Sequence, residues 1–432
     1  MSKAQDCRAT AARCLASVSK GSSLSQQIPE FEAQVSERDR ALFRQLCYGV
    51  LRWQPKLEGL SGQLLQKPFK TKDCDIHMLI LLGIYQLSDM RIPDHAAVSA
   101  TVNATRALKK PWAKNLVNGV LRQWQRNREQ LEQQLSPAQQ LAHPEWLHQA
   151  IQNAWPEQAE QIQNANNQHP PMCLRVNSQK STRDDYLQQL LNADIAAQAC
   201  SHAPAGIRLQ QATGVQQLPQ FAEGWVSVQD EAPQLGVALL DLQPGQRVLD
   251  MCCAPGGKTC HMLEAQPELA QLLAVDIDQQ RLLRVGENLQ RLHLQAELKC
   301  SDATQLDDWW DGQPFDRILL DAPCSGTGVI RRNPDIKAHR RPEDIVQLAE
   351  LQLEILTALW PSLKPGGLLL YATCSILPDE NELVVAAFCQ QQADAEHCPI
   401  AAEWGLERPY GRQLFPQPDG HDGFYYALLR KA

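Results

Sequence analysis

Apolar residues recur at helical spacing through the first third of the chain. In the stretch 38–53, Leu42, Leu46 and Val50 fall on one stripe and the arginines on the opposite face, which is typical of an amphipathic helix. Further helices are predicted at residues 10–18, 76–87, 95–108 and 112–124. Residues 1–144 are therefore predicted to form an all-α domain.

The pattern becomes mixed between residues 145 and 230. A glutamine-rich helical stretch ends at Pro170-Pro171, and shorter elements follow the prolines. The predicted elements are strands at 172–176, 207–209 and 225–228 and a helix at 181–192, capped by Ser181 or Thr182. We interpret 145–230 as a helical linker followed by a small α+β (RRM-like) subdomain.

Short apolar runs alternate with amphipathic stretches in residues 231–432. Strands are predicted at 247–251, 272–275, 297–300, 317–320, 368–372 and 423–429, with helices at 278–292 and 342–363. Such alternation predicts a doubly wound α/β fold with a parallel sheet, which is the Rossmann-like architecture.

The junction within Arg247–Leu263 reads as a buried strand, a Gly-rich turn and the start of a helix. Free backbone N–H groups at such a helix start lie beside the crevice where open α/β sheets bind ligands. The turn is neither GxxxxGK[ST] nor GxGxxG, so a phosphate cradle and a dinucleotide site are weakly supported. An ordinary tight turn is the alternative when this stretch is taken alone.

Acidic residues follow three of the predicted strands. Asp276 ends LLAVD, Asp302 follows LKCS and Asp321 ends RILLD. The carboxyl ends of parallel strands meet at one edge of a sheet, so these side chains are expected to line one crevice. An acid after the second strand suits the hydroxyls of a ribose, and an acid after the third suits an adenine amino group.

Two cysteines are expected at the same edge. Cys324 lies in DAPCSGTG, directly after one predicted strand, and Cys374 lies in LYATCS, at the end of the next. Free cysteine is usually a buried, inert side chain, and a reactive thiol needs nearby positive charge or a helix start. The basic stretch 331–341 between the two cysteines is predicted to hold a phosphate backbone and to favour the thiolate.

The use of cysteine and the length of the apolar runs indicate the cellular compartment and whether a structural metal is expected. The chain has fourteen scattered cysteines without a CxxC pair, so a reduced cytoplasmic protein without a structural metal is expected. The longest apolar run, Met78–Tyr85, is much shorter than the ~20 residues that span a bilayer. The first twenty residues lack the apolar core of a secretory signal. We expect no membrane association.

The charge is unevenly distributed. Residues 1–144 carry 20 Lys and Arg against 12 Asp and Glu, a net charge of +8, whereas the rest carries 21 against 37, a net charge of −16. A basic region on an acidic body suggests a nucleic-acid-binding module. A solvated basic surface is the alternative that charge alone leaves open.

The motifs CCAPGGKT, DAPCSGTG and ATCS, in this order and spacing, resemble those of the RNA cytosine-5 methyltransferase family that uses S-adenosyl-L-methionine, the Sun family. HPEWL, PPMCLRVN and VQDEAPQL are similar to segments that precede these motifs in the family. The helical region 1–144 resembles the NusB-like RNA-binding domain of the bacterial 16S ribosomal RNA branch. The resemblance covers nearly the whole chain.

The resemblance implies a role for each matching position. It implies that Cys374 is the nucleophile that bonds to C6 of the cytosine and that Cys324 assists release of the product. In such a reaction the N3 edge of the base must be held, and Asp321 is expected to hold it. The implied cofactor contacts are Cys253, Ala254, Pro255, Gly256, Gly257, Lys258, Thr259, Asp276, Asp302 and Asp321. The implied substrate is 16S ribosomal RNA, bound by a monomer, with no DNA partner.

Three other functions stay open at this stage. A transfer RNA cytosine-5 methyltransferase fits the same motifs. A non-catalytic RNA-binding factor would use only the helical region, and the complete pair of cysteine motifs argues against it. A DNA cytosine methyltransferase would use Cys324 as its nucleophile, and the additional TC motif at Cys374 disfavours it.

Overall fold

The structure is a computed structural model that describes residues 5–432, and these divide into two compact units. The first unit contains the described residues up to Gln168 together with Ile330–Arg341, and the second contains His169–Val329 and Pro342–Ala432. Within 5–432, every helix is too short or too polar to cross a bilayer.

The first unit is helical, as predicted. Up to Gln168 its helices are α1 Cys7–Val18, α2 Leu24–Glu32, α3 Arg40–Leu64, α4 Cys74–Asp89, α5 Asp94–Ala107, α6 Lys114–Gln133, α7 Pro137–Gln140, α8 Glu145–Ala154 and α9 Ala159–Asn166. Helix α3 runs past the predicted end at residue 53 because Leu57 and Leu60 continue its buried stripe beyond Pro55. One apolar core joins α1 to α6.

The segment 330–341, which contains a short helix at Ile336–His339, is part of the first unit although it lies far along the chain. Lys337 is buried, and its ammonium group donates to the carbonyls of Arg52 and Ala142 at 2.9 and 2.8 Å and to Asn167 Oδ1 at 2.5 Å. Burial lowers the pKa of Lys337 well below its usual value. These three acceptors satisfy the donors of an ammonium group.

Two further contacts attach the same segment. The Asp335 carboxylate accepts from the backbone N–H of Leu24 at 3.0 Å, at the start of α2, where Ser23 makes no side-chain capping bond. The buried Arg52 guanidinium donates to the Arg331 carbonyl at 3.0 Å. The prediction that this basic stretch holds phosphate is wrong for Arg331 and Lys337, because both side chains are buried in the helical unit.

The second unit begins with a small antiparallel sheet in the order β2-β3-β1-β4. Its strands are β1 Cys173–Val176, β2 Ala197–Ala199, β3 Gly206–Leu209 and β4 Val226–Val228, with helix α10 at Arg183–Asn192. Thr182 caps α10 by accepting from the Asp185 N–H, as one of the two predicted caps. The predicted small α+β subdomain is confirmed.

The main sheet of the second unit has the order β11-β12-β13-β9-β8-β5-β6-β7. Its strands are β5 Arg247–Met251, β6 Gln271–Asp276, β7 Glu297–Cys300, β8 Phe315–Asp321, β9 Leu363–Thr373, β10 Ala395–Cys398, β11 Leu406–Glu407, β12 Arg412–Leu414 and β13 Phe424–Lys431. Strands β5 to β9 are parallel, as predicted, whereas β13 runs antiparallel to β9 and also pairs with β10. The sheet is therefore mixed.

The helices of this unit cover the parallel part of the sheet. They are α11 Glu231–Leu239, α12 Gly257–Ala265, α13 Gln279–Leu292, α14 Leu306–Trp309, α15 Pro342–Leu359 and α16 Glu382–Gln391. The predicted helix 342–363 ends earlier, at Leu359, because the chain enters β9 at Leu363, which pairs with Phe315. Apolar side chains on the two faces of the sheet form separate cores.

A buried ion pair joins the small sheet to the helix that follows the Gly-rich turn. The Arg175 guanidinium, on β1, donates to both carboxylate oxygens of Glu264 at 2.9 and 2.8 Å and to the Gly257 carbonyl at 2.8 Å. It also donates to Gln229 Oε1. Bidentate geometry and additional hydrogen bonds to the remaining donors are the conditions under which a buried pair is retained.

We predict that Arg175→Met destabilises the second unit by about 3–5 kcal/mol, because it leaves the Glu264 carboxylate buried without its cation. Thermal unfolding measured by calorimetry would show a lower melting temperature. The double variant Arg175→Met/Glu264→Leu is the control, since removing both charges restores most of the lost stability. A single variant as stable as the double variant would contradict the argument.

Candidate active site

The Gly-rich turn after β5 has the predicted strand–turn–helix geometry. Gly256 has φ +93°, and a Cβ there would come within 2.9 Å of Val285 Cγ1, so only glycine fits. The Thr259 hydroxyl donates to the Asp250 carboxylate at 2.5 Å and ties the start of α12 to β5. Residues 253–259, which comprise the turn and the first residues of α12, are therefore fixed at the carboxyl end of β5.

Asp276 is attached directly to this loop. One carboxylate oxygen accepts from the Ala254 N–H at 3.0 Å, and the other accepts from the Asp278 N–H at 3.0 Å. The residue is buried at 3% exposure. The two backbone donors use two of the roughly four lone-pair positions of a carboxylate, so Asp276 retains capacity for further donors.

Asp302 and Asp321 lie on either side of these residues at the same sheet edge. Asp302 is exposed beyond β7, and its Oδ1 accepts from the Thr304 N–H and hydroxyl, both at 2.9 Å. Asp321 ends β8, and its Oδ2 accepts from the Lys258 ammonium at 2.7 Å. Lys258 Nζ also lies 4.8 Å from the centre of the Phe424 ring. All three acids thus occupy one edge, and Lys258 fixes one of them.

Asp250 is a buried acid that the sequence pattern did not predict. Burial raises its pKa to about 7, and the negative charges of Asp321 and Asp276 add to the effect, while the hydrogen bond from Thr259 opposes it. Among the described residues, Oδ1 of this carboxyl group has no hydrogen-bond partner. The only sequence signal is its place within the apolar run VLDM, where a buried carboxyl is uncommon.

The side chains of the two predicted cysteines are in contact. Cys324 follows β8 and Cys374 follows β9, which are adjacent parallel strands, and the two sulfur atoms lie 3.3 Å apart. The pKa of the Cys324 thiol is raised well above its usual value, first by its hydrogen bond to Cys374 and then by burial. Cys324 therefore keeps its proton. The expectation that the basic stretch lowers thiol pKa values is wrong for Cys324.

A second buried acid, Glu380, was also missed. It lies in a short turn, Pro378–Glu380, and accepts hydrogen bonds from the serines that follow the two cysteines. An acid in a polar turn sequence usually faces solvent, so nothing in the sequence distinguished it.

The predicted cofactor residues suit a cationic nucleoside. S-adenosyl-L-methionine carries a sulfonium, an ammonium, ribose hydroxyls and an adenine amino group, and carboxylates accept from or attract each of them. Asp276, Asp302 and Asp321 supply carboxylates along the edge. Gly256 has no side chain that would obstruct a ligand at its position in the turn. The described residues contain no group of three or more His, Cys, Asp or Glu side chains arranged for a metal ion.

Family models match three parts of the chain. Residues 5–126 match the NusB family, residues 143–216 match the ferredoxin-like domain of RsmF/B-like methyltransferases, and residues 237–430 match the 16S rRNA methyltransferase RsmB/F family. The chain is 56% identical to ribosomal RNA small subunit methyltransferase B of Pseudomonas putida, with 98% of each chain covered. It is 54% identical to the protein of the same name from Pseudomonas syringae pv. tomato, with 98% of this chain and 96% of that protein covered.

Solved structures share the fold. The alignment with the crystal structure of PH0851 covers 100% of both chains, with a TM-score of 0.82 and a sequence identity of 20%. The alignment with the crystal structure of a methyltransferase homologue from Pyrococcus horikoshii covers 69% of this chain and 100% of that protein, with a TM-score of 0.60 and a sequence identity of 29%. The predicted Rossmann-like methyltransferase and NusB-like folds are confirmed.

The resemblance seen in the motifs extends along the full chain, through all three matched regions and at identities above one half. The predicted methyltransferase class is therefore confirmed, and the chain belongs to the RsmB/F family of 16S ribosomal RNA methyltransferases.

Proposed function

We propose that this chain methylates C5 of a cytosine in 16S ribosomal RNA with S-adenosyl-L-methionine, through a covalent bond between Cys374 and C6 of the base. The proposal rests on the 3.3 Å separation of the Cys324 and Cys374 sulfur atoms beside the loop 253–259. Two thiols in contact suit a reaction in which one sulfur attacks and the other serves a later step. A cytoplasmic location follows from the proposed substrate.

The attack explains why a thiol is needed. Cytosine C5 is a poor nucleophile until the Cys374 thiolate adds to C6, which forms a carbon–sulfur bond and makes C5 enamine-like. The raised pKa of Cys324 disfavours its thiolate, and either sulfur can donate the hydrogen bond between the two thiols. Cys374 is assigned as the attacking sulfur because it occupies the TC motif that this chain shares with the Sun family. The base must be unstacked from the RNA to reach these groups.

Asp321 is suited to hold the base. Its carboxylate can accept from a protonated N3, and the Lys258 ammonium at 2.7 Å fixes the carboxylate in one orientation. After methylation the C5 proton leaves and the carbon–sulfur bond breaks, which restores the double bond of the ring. Once Cys374 is bonded to C6, its sulfur no longer raises the pKa of Cys324 through the contact between the two thiols. Cys324 can then release its proton to water, and its thiolate, or a water that it positions, accepts the C5 proton.

The cofactor would supply a methyl group on a positively charged sulfur. Residues 253–259, Asp276 and Asp302 would hold it, with Asp276 accepting from the ribose hydroxyls. The Ala254 and Asp278 N–H groups keep the Asp276 carboxylate in place for that contact. The proposed assignments for Cys253, Ala254, Pro255, Gly257, Lys258 and Thr259 rest on their place in this loop.

We predict that Asp276→Ala loses much of the affinity for S-adenosyl-L-methionine, because hydrogen bonds to a charged acceptor contribute ~1.5–3 kcal/mol each. Isothermal titration calorimetry would measure the loss. Asp307→Ala, which changes an exposed acid of α14, is the control and should bind normally. Equal affinity of the two variants would remove Asp276 from the cofactor site.

We predict that the two cysteines have separable roles. Cys374→Ala should abolish methyl transfer and form no covalent complex with RNA, because no sulfur attacks C6. Cys324→Ala should accumulate a methylated covalent complex, visible on a denaturing gel, because release is slowed. The double variant should form no complex, and Cys389→Ala should turn over normally. A complex in Cys374→Ala but not in Cys324→Ala would exchange the two roles.

We predict that helix α6 contributes phosphate contacts to RNA binding. Arg122 and Arg126 lie one helical turn apart on α6, and both are exposed. Arg122→Gln/Arg126→Gln should flatten the slope of log affinity against log salt by up to about 0.7–0.9 for each phosphate that is no longer neutralised. Lys299→Gln/Arg430→Gln, which removes two exposed charges from the second unit, is the control. The same slope in both variants would contradict the prediction.

A further inference from the structure

Glu380 connects the two cysteine loops through one carboxylate. Its Oε1 accepts from the Ser325 N–H at 2.7 Å, and its Oε2 accepts from the Ser325 and Ser375 hydroxyls at 2.5 and 2.6 Å. Ser325 directly follows Cys324, and Ser375 directly follows Cys374. One side chain thus binds the neighbour of each thiol.

The same loops are joined at two more points. The Thr327 hydroxyl lies 3.0 Å from the Ser375 hydroxyl and accepts from the Ile376 N–H at 3.0 Å. The Gly328 N–H donates to the Cys374 carbonyl at 2.9 Å, and a Cβ at Gly328 would come within 2.8 Å of that oxygen. The two loops that carry the thiols are therefore joined through their backbones, with no room for a side chain at Gly328.

Neighbouring elements hold Glu380 itself. The Tyr371 hydroxyl, on β9, donates to the Glu380 carbonyl at 2.7 Å. The Gln352 amide, on α15, donates to the Pro323 carbonyl at 2.8 Å and lies 3.4 Å from Glu380 Oε1. Glu380 is fully buried. Its position is therefore fixed by the strand on one side and by the covering helix on the other.

The chemistry of these contacts suits a carboxylate. The groups of Ser325, Ser375 and Gln352 that face the two oxygens are all N–H or O–H donors, and an ionised carboxyl group only accepts. Burial raises the pKa of Glu380, whereas the hydrogen bonds from Ser325 and Ser375 oppose that rise. A buried charge contributes little net stability compared with apolar packing. Geometric control of the two loops is a function that apolar packing at this position would not supply.

We propose that Glu380 is a positioning residue, which keeps the Cys324 and Cys374 sulfur atoms in contact by binding the serine that follows each cysteine. The proposal rests on the proposed function for the roles of the two thiols. Its structural part, the control of the sulfur–sulfur separation, stands on the contacts of Ser325 and Ser375 alone.

The first measurement is the rate at which the Cys324 and Cys374 thiols form a disulfide, which depends on their separation. It needs neither RNA nor cofactor. Diamide, an azo oxidant, takes the hydrogen atoms of two thiols, so that a sulfur–sulfur bond forms and the azo group becomes a hydrazine. Peptide mass mapping of the full chain follows the rate at which Cys324 and Cys374 become linked. The linkage should form at least tenfold more slowly in Glu380→Gln than in the natural protein. An unchanged rate would overturn the proposal.

The second measurement is the methylation rate. A displacement of about 1 Å in a reacting group costs on the order of a hundredfold in rate, so kcat should fall by tenfold or more in Glu380→Gln. The KM for RNA and the affinity for S-adenosyl-L-methionine should stay unchanged, because Glu380 binds neither. A parallel loss of cofactor affinity would show a general structural role and would overturn the proposal.

Glu382→Gln is the matched control. Glu382 lies two residues farther along, is similarly buried, and binds the Arg408 guanidinium at 2.5 and 3.0 Å instead of the cysteine loops. This variant should keep the normal linkage rate and kcat, whatever its loss of stability. An equal slowing in both acid variants would contradict a specific role for Glu380.

A second variant keeps the test decisive if Glu380→Gln does not fold. Ser375→Ala removes one hydroxyl donor next to Cys374 and leaves Glu380 bound to Ser325. It should slow the diamide linkage and lower kcat in the same direction, and a normal rate for both would overturn the proposal. If the natural protein forms the linkage quickly but methylates no RNA, the proposed function fails while the positioning role of Glu380 stands.

Discussion

The buried guanidinium of Arg175 is the constraint on which the cofactor side of the site depends. It binds Glu264 near the end of α12 and the Gly257 carbonyl at the beginning of the same helix. One side chain on the small sheet therefore holds both ends of the helix that follows the Gly-rich turn. The small sheet is thus part of the support of the catalytic unit, because it fixes the helix into which the turn 253–259 leads.

Local sequence patterns predicted most of the fold. The strands 247–251 and 297–300 begin and end as predicted, and the first is an apolar run between turn residues. Helix α2 was missed because it contains Pro29 and its start is capped by Asp335, more than three hundred residues away. Arg331 and Lys337 of the basic stretch were misinterpreted for the same reason, since the groups that accept from Lys337 lie in distant parts of the chain.

The candidate site was predictable where strand order alone determines position. Asp276, Asp321, Cys324 and Cys374 could be assigned to one edge because parallel strands share a carboxyl end. The contacts among them could not be assigned, because the Lys258–Asp321 pair and the contacts of Glu380 with Ser325 join residues about fifty or more positions apart. Asp250 and Glu380 are buried acids within ordinary local sequence, so only the folded chain reveals their surroundings.

The insertion of residues 330–341 into the helical unit imposes an order on biosynthesis. A chain emerges from the ribosome from its N-terminus, and units that are continuous in sequence can fold as they emerge. Here the partner of the carbonyls of Arg52 and Ala142, the Lys337 ammonium, is synthesised almost two hundred residues after Ala142. The helical unit therefore reaches its final hydrogen bonding only after β5 to β8 have been translated.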